Sequence, residues 1–162
     1  RQPFRKFKGK GPRLLVRCTM DTIQLPLPEP EDSFFGPVIY AYTRAQALAD
    51  GVLVDVTETA REVGFKLPVA ITEALRNRLT PTKADAAIGQ DYDGRLWDVL
   101  WIAALRIKLA DPGTDTVTFT VALQEVEPKN GQPHGVDIRL RAVCGPGDEG
   151  EPVFTIGFPE DF

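Results

Sequence analysis

One histidine, one methionine and two cysteines are all that this 162-residue chain holds of those three types, and the scarcity excludes a good deal. A Ser-His-Asp triad, a Cys-His pair or a histidine-bearing metal site would each have to use His134. That residue stands between Pro133 and Gly135, where a hairpin loop is expected, and a solvated loop residue is the simpler reading. Cys18 and Cys144 lie far apart without CxxC spacing, so no thiolate metal site is expected. Both read as reduced thiols, Cys144 as a small buried apolar residue. Long apolar runs are missing too: none approaches the ~20 residues that cross a bilayer, and the first segment has no secretory-type apolar stretch. A soluble, cytoplasmic protein without metal, cofactor or membrane contact is the expectation.

What is present is enough apolar material, 43%, for one core. The net charge of −4 conceals an asymmetry. Residues 1–19 hold seven Lys/Arg and no acid, which leaves twelve basic against twenty-three acidic residues in 20–162, a net of −11. Phosphates should be repelled by that body and attracted only by the tail, where Phe4 and Phe7 offer stacking rings. Met20, the sole methionine, stands where the basic stretch gives way, and reads as a natural start. Residues 25–31, LPLPEPE, form an extended polyproline-like lead. The expected division is a basic extension plus lead over 1–33 and one globular domain over 34–162.

Along that domain, PVIYAY (37–42) reads as a strand, and Thr43 caps a short helix, RAQALAD, that stops at Gly51. VLVDV (52–56) reads as a strand, and Thr57 as the cap of ETAREV before Gly64. Pro68 suits the first turn of a helix VAITEALRNRL, with Val69, Ala70, Ala74 and Leu75 facing inward, that ends at Thr80-Pro81. The following TKADAAIGQDYDG reads as irregular. Residues 95–110 make the strongest helix, with Arg95, Asp98 and Arg106 on a narrow polar stripe, hence mostly buried. Beyond it the period becomes 2: Val117, Phe119, Val121 and Leu123 share one face, Val136, Ile138, Leu140 and Ala142 another, and PVFTIGF follows a Gly-rich turn. The expected fold is α+β, a C-terminal antiparallel three-stranded meander packed on a buried helix near 95–110, with short strand–helix units in the N-terminal half.

Candidate chemistry is thin. Asp148, Glu149 and Glu151 in the turn GPGDEGE, together with Asp91 and Asp93, are the candidate binding residues. An acidic face gathered from them, with Glu29, Glu31, Asp32, Asp98, Glu160 and Asp161, would imitate a phosphate backbone. Asp91, Asp93 and Asp98 lack the spacing of a calcium loop and read as helix-capping acids. The GPGDEGE turn has no following Lys-Ser/Thr and precedes a strand, so it is not a phosphate loop. Glu58 and Glu62, one helical turn apart, would make an acid–base pair if desolvated. Trp97 and Trp101 read as core anchors.

The runs FFGPVIYAYTRAQALADGVLVDV (34–56), TETAREVGF (57–65), GRLWDVL (94–100) and AVCGPGDEGEPV (142–153) resemble a family of small uncharacterised bacterial proteins carried by plasmids, phages and integrative elements. The resemblance implies an accessory role in a mobile genetic element and brings no activity with it. Tyr40–Leu53 also resembles the first NAD-binding segment of some ADP-ribosyltransferases; Thr43 matches, but Ala41 stands where they carry histidine. Three function classes follow. The first is an interaction protein whose acidic surface engages a host or phage protein, with homo-oligomerisation open. The second is an enzyme with a carboxylate site, remotely ADP-ribosyltransferase-like. The third binds nucleic acid through the arm 1–19, since the body 20–162 should not.

Overall fold

The computed structural model describes residues 42–162. The basic arm, Cys18, the proline lead and most of the strand expected over 37–42 lie outside the described residues. Within them the order is α1 (Arg44–Ala49), β1 (Leu53–Asp55), α2 (Thr57–Val63), β2 (Val69–Thr72), α3 (Glu73–Leu79), α4 (Lys83–Ala87), α5 (Tyr92–Leu109), β3 (Thr116–Val126), β4 (Pro133–Pro146) and β5 (Pro152–Gly157), closed by a 3₁₀ turn at Pro159–Asp161. The fold is α+β. The C-terminal meander is present, β3 antiparallel to β4 and β4 to β5. It is the larger part of a mixed five-stranded sheet of order β1-β2-β5-β4-β3, in which β2 runs parallel to β5.

Alternation along β3 and β4 sends Phe119, Val121, Leu123, Ile138, Leu140 and Ala142 to one face, where they meet Leu96, Val99, Leu100 and Ala103 of α5 in a single core. The α1 start is as the sequence suggests: the Thr43 hydroxyl accepts the Gln46 N–H, and the Gln46 side chain answers the Thr43 N–H. Gly64 ends α2 at φ 111°, a conformation that side chains other than glycine's resist.

Three local expectations change. Residues 69–72 are a strand, not the start of a helix. All four are buried between β1 and β5, and Phe154 donates its N–H to the Pro68 carbonyl. Helix α3 therefore begins at Glu73, capped by Thr72, and Ala74 is exposed. Thr57 lies inside α2 rather than capping it. Its hydroxyl instead accepts the Val69 N–H at 3.1 Å, tying the helix start to β2. Residues 83–87 are helical where irregular chain was expected, because Thr82 and Asp85 form a capping box.

Asp85 also fixes how α5 is rotated. Its carboxylate accepts N–H groups from Thr82 at 3.0 Å and Val126 at 2.8 Å, and lies 3.4 Å from the Arg95 guanidinium. Arg95 in turn donates to the Gln124 carbonyl at 2.7 Å. Burial by itself would push the Asp85 carboxyl up. The hydrogen bonds from Val126 and Thr82, with the Arg95 charge, overcome that and hold it at about 2. Arg95 is thus buried, not on an outward polar stripe, and α4, α5 and β3 meet in one polar lock.

Candidate functional site

Asp148, in the turn between β4 and β5, points at the start of α1. Its two oxygens accept the N–H groups of Arg44 and Ala45, each at 2.7 Å, so a carboxylate from the C-terminal hairpin caps the first described helix. Glu151 accepts the Glu149 N–H at 3.0 Å and braces its own turn, which leaves Glu149 as the exposed acid of the three without a structural task among the described contacts. Asp91 caps α5 through the Gly94 N–H at 2.7 Å, and Asp93 is exposed in the first turn of the same helix. The loop acids and the α5 acids are held by different elements.

Glu58 and Asp93 line an open cleft of about 460 Å³ with Asp55, Thr57, Arg76 and Tyr92. All three carboxylates are exposed, and Asp55 already accepts the Thr57 N–H at 2.9 Å. Burial raises the Tyr92 phenol, with Arg76 opposing and Asp93 adding to the shift. Burial is the usual way a carboxylate is tuned for acid–base chemistry, and these three lie exposed at the mouth of the cleft. Glu62, exposed on α2, does not line the cleft. Among the described residues no three His, Cys, Asp or Glu side chains converge as a metal site would require.

A second cavity, about 510 Å³, lies on the sheet face opposite the core, floored by Leu53, Thr72, Val153 and Thr155 and edged by Arg44 and Phe162. Its one arginine is already engaged: Arg44 donates to the Thr155 hydroxyl at 3.0 Å and to the Phe154 carbonyl at 3.3 Å. Burial lowers its pKa, opposed by Asp55, Asp148 and Glu151. At the other edge the Thr72 hydroxyl donates to Asp161 at 2.7 Å. His134 lies in the first residues of β4 rather than in the loop before it, exposed and paired with Glu125. Cys144 is half-buried on β4 opposite Phe154.

The most unusual surface lies on α5. Trp97 and Trp101, expected as core anchors, are 37% and 55% exposed, and Leu105 and Leu109 are 47% and 71% exposed. Spaced by four, these residues form one row along the helix. The helix carries two apolar stripes, and the one formed by Leu96, Val99, Leu100, Ala103 and Ala104 packs inward. Only that choice puts Arg95 beside Asp85. The row with both indoles is turned to solvent, with exposed Asp93 and Asp98 near its N-terminal end and exposed Lys108 near its C-terminal end. The i, i+4 spacing of Trp97, Trp101, Leu105 and Leu109 was the signal in the sequence that pointed to this row.

No helix among the described residues is long and apolar enough to cross a membrane, so the row is not part of a span. No curated protein and no solved structure matches the chain. A family model spans residues 32–162, from before α1 to the last residue, and on that match the chain belongs to a family of unknown function, DUF6573.

Proposed function

We propose that this chain is a protein–protein interaction module whose contact surface is the outer face of α5. The observation that carries the reading is the exposed row Trp97, Trp101, Leu105 and Leu109. Single apolar side chains are ordinary on a protein surface; a contiguous row with two tryptophans has the composition of an interface core. Asp93, Asp98 and Lys108 toward its ends supply the polar rim such interfaces have.

The acidic turn gives this reading less support than α5 does, since Asp148 and Glu151 are held by backbone N–H groups of α1 and of their own turn, and Glu149 is the one with no such contact among the described residues. Glu58 and Asp93, in an open and solvated cleft, give little to an enzyme. The mobile-element setting, and a host or phage protein as the partner, enter through the resemblance of residues 34–162. The test is photo-crosslinking in the protein's own cells, with benzoylphenylalanine in place of Trp101 and, as control, of Thr118 on the open face of the sheet. A discrete product from position 101 and none from position 118 is the expected result. Absence of any product at 101, or the same products from both positions, removes the reading.

A further inference from the structure

The charges along α5 say what should cover it. We propose that the partner is a second copy of this chain, docked with its own α5 antiparallel to the first. This inference rests on the interaction reading above and narrows it to one occupant.

Trp101 lies almost at the middle of the 18-residue helix. With a two-fold axis beside Trp101, a residue on one helix stands level with its mirror position on the other. Trp97 then meets the level of Leu105 of the second copy, and the two Trp101 side chains face each other across the axis. At ~100° and ~1.5 Å per residue, Trp97, Trp101, Leu105 and Lys108 fall within about 40° of the outward direction set by Trp101. Asp98 lies about 60° to one side of it and Asp93 about 80° to the other, while Arg106, about 140° round, stands on the side of buried Arg95 and takes no part in the seam.

The two-fold operation keeps each side on its own side while reversing the helix direction. Asp93 is therefore brought to within about one residue's rise of Lys108 from the second copy, on the same side of the seam, and the pair repeats at the other end. Each helix has acids toward its N-terminus and bases toward its C-terminus, so antiparallel pairing sets opposite charges together at both ends. Parallel pairing would set like against like. A self-complementary patch of this kind is the signature of an isologous dimer. Together the two copies would cover Trp97, Trp101 and Leu105 on each, a coiled-coil-like seam closed by a charge pair at each end.

Sedimentation equilibrium of the full chain, from low micromolar to near-millimolar, tests the inference with two variants, Asp93→Lys and Lys108→Asp. The wild-type chain should approach twice the 17.9 kDa of one chain as concentration rises. Each variant alone should stay monomeric over a range where the wild type is paired, because the reversal repeats at both ends of the seam. Mixed in equal amounts, they should recover the dimer mass, since the lysine introduced at position 93 of one copy then faces the aspartate introduced at position 108 of the other, and the native pair remains at the opposite end. Recovery also shows that both variants are folded. A wild type monomeric at every concentration, or a dimer that neither reversal weakens, overturns the inference. If the chain is monomeric but position 101 crosslinks a protein of another mass, self-pairing falls and the interaction reading stands; if position 101 crosslinks nothing, both fall.

Discussion

Replacing Asp85 by alanine should unfold this protein more readily than any change on its outer faces. The substitution takes the acceptor from the Val126 N–H at 2.8 Å and from the Thr82 N–H at 3.0 Å, and leaves the Arg95 guanidinium, 3% exposed, without its counter-charge. Orphaning one buried donor costs about 1–3 kcal/mol, and breaking a buried pair by removing one partner about 3–5 kcal/mol in all. Thr82 is exposed and can turn its N–H to water, while Arg95 keeps the Gln124 carbonyl, so about 3 kcal/mol is expected. Urea unfolding followed by circular dichroism measures it, and Arg95→Met with the double variant completes a cycle. The double variant should lose less than the sum of the singles, because no buried charge is left alone. A loss under about 1 kcal/mol for Asp85→Ala, or strict additivity, would refute the lock.

The same lock gives a pH dependence. Asp85 titrates at about 2 in the folded chain against an ordinary 3.8, so the unfolded chain takes up this proton first. The stability it contributes is fully present above about pH 4 and is lost as pH falls through 2. Wild type should therefore lose stability more steeply over that window than Asp85→Ala does; parallel profiles would contradict this. Gly157 is crowded rather than flexible. A Cβ there would meet Thr72 Cγ2 at 2.5 Å and Asp161 Oδ2 at 2.7 Å, so Gly157→Ala should cost about 1–3 kcal/mol in thermal unfolding, and an unchanged midpoint would disprove the close packing. Asp148→Ala should cost about 0.5–2 kcal/mol, with faster hydrogen exchange at the Arg44 and Ala45 amides. Unaltered exchange at those two would show that the cap is not made.

How much of this was legible before the structure depends on how local each cause is. Thr43, Gly51 and Gly64 act within one turn of chain, and the alternation of Val117–Leu123 and Val136–Ala142 needs nothing outside the segment; these elements stand where the sequence puts them. Residues 69–72 go the other way. Pro68 followed by VAITEAL fits a helix start, and only pairing with Phe154, Thr155 and Ile156, far along the chain, makes it a buried strand. The site was misread for a related reason. The two stripes of α5 are both apolar, and their inward choice is decided by Asp85, which binds Arg95 from another helix. The acids of the turn were visible as charges, but not as the cap of α1, because that contact joins residues at opposite ends of the domain.

The claim that the row on α5 serves a partner and not the fold is tested most directly by one pair of measurements on Trp101→Ser/Leu105→Ser. With Trp101 55% and Leu105 47% exposed, the unfolding free energy of the isolated chain at dilute concentration should stay within roughly 1 kcal/mol of wild type, while association through this face is lost. A drop of several kcal/mol, or association that survives the change, would mean that the exposed tryptophans belong to the architecture of the domain and not to its function.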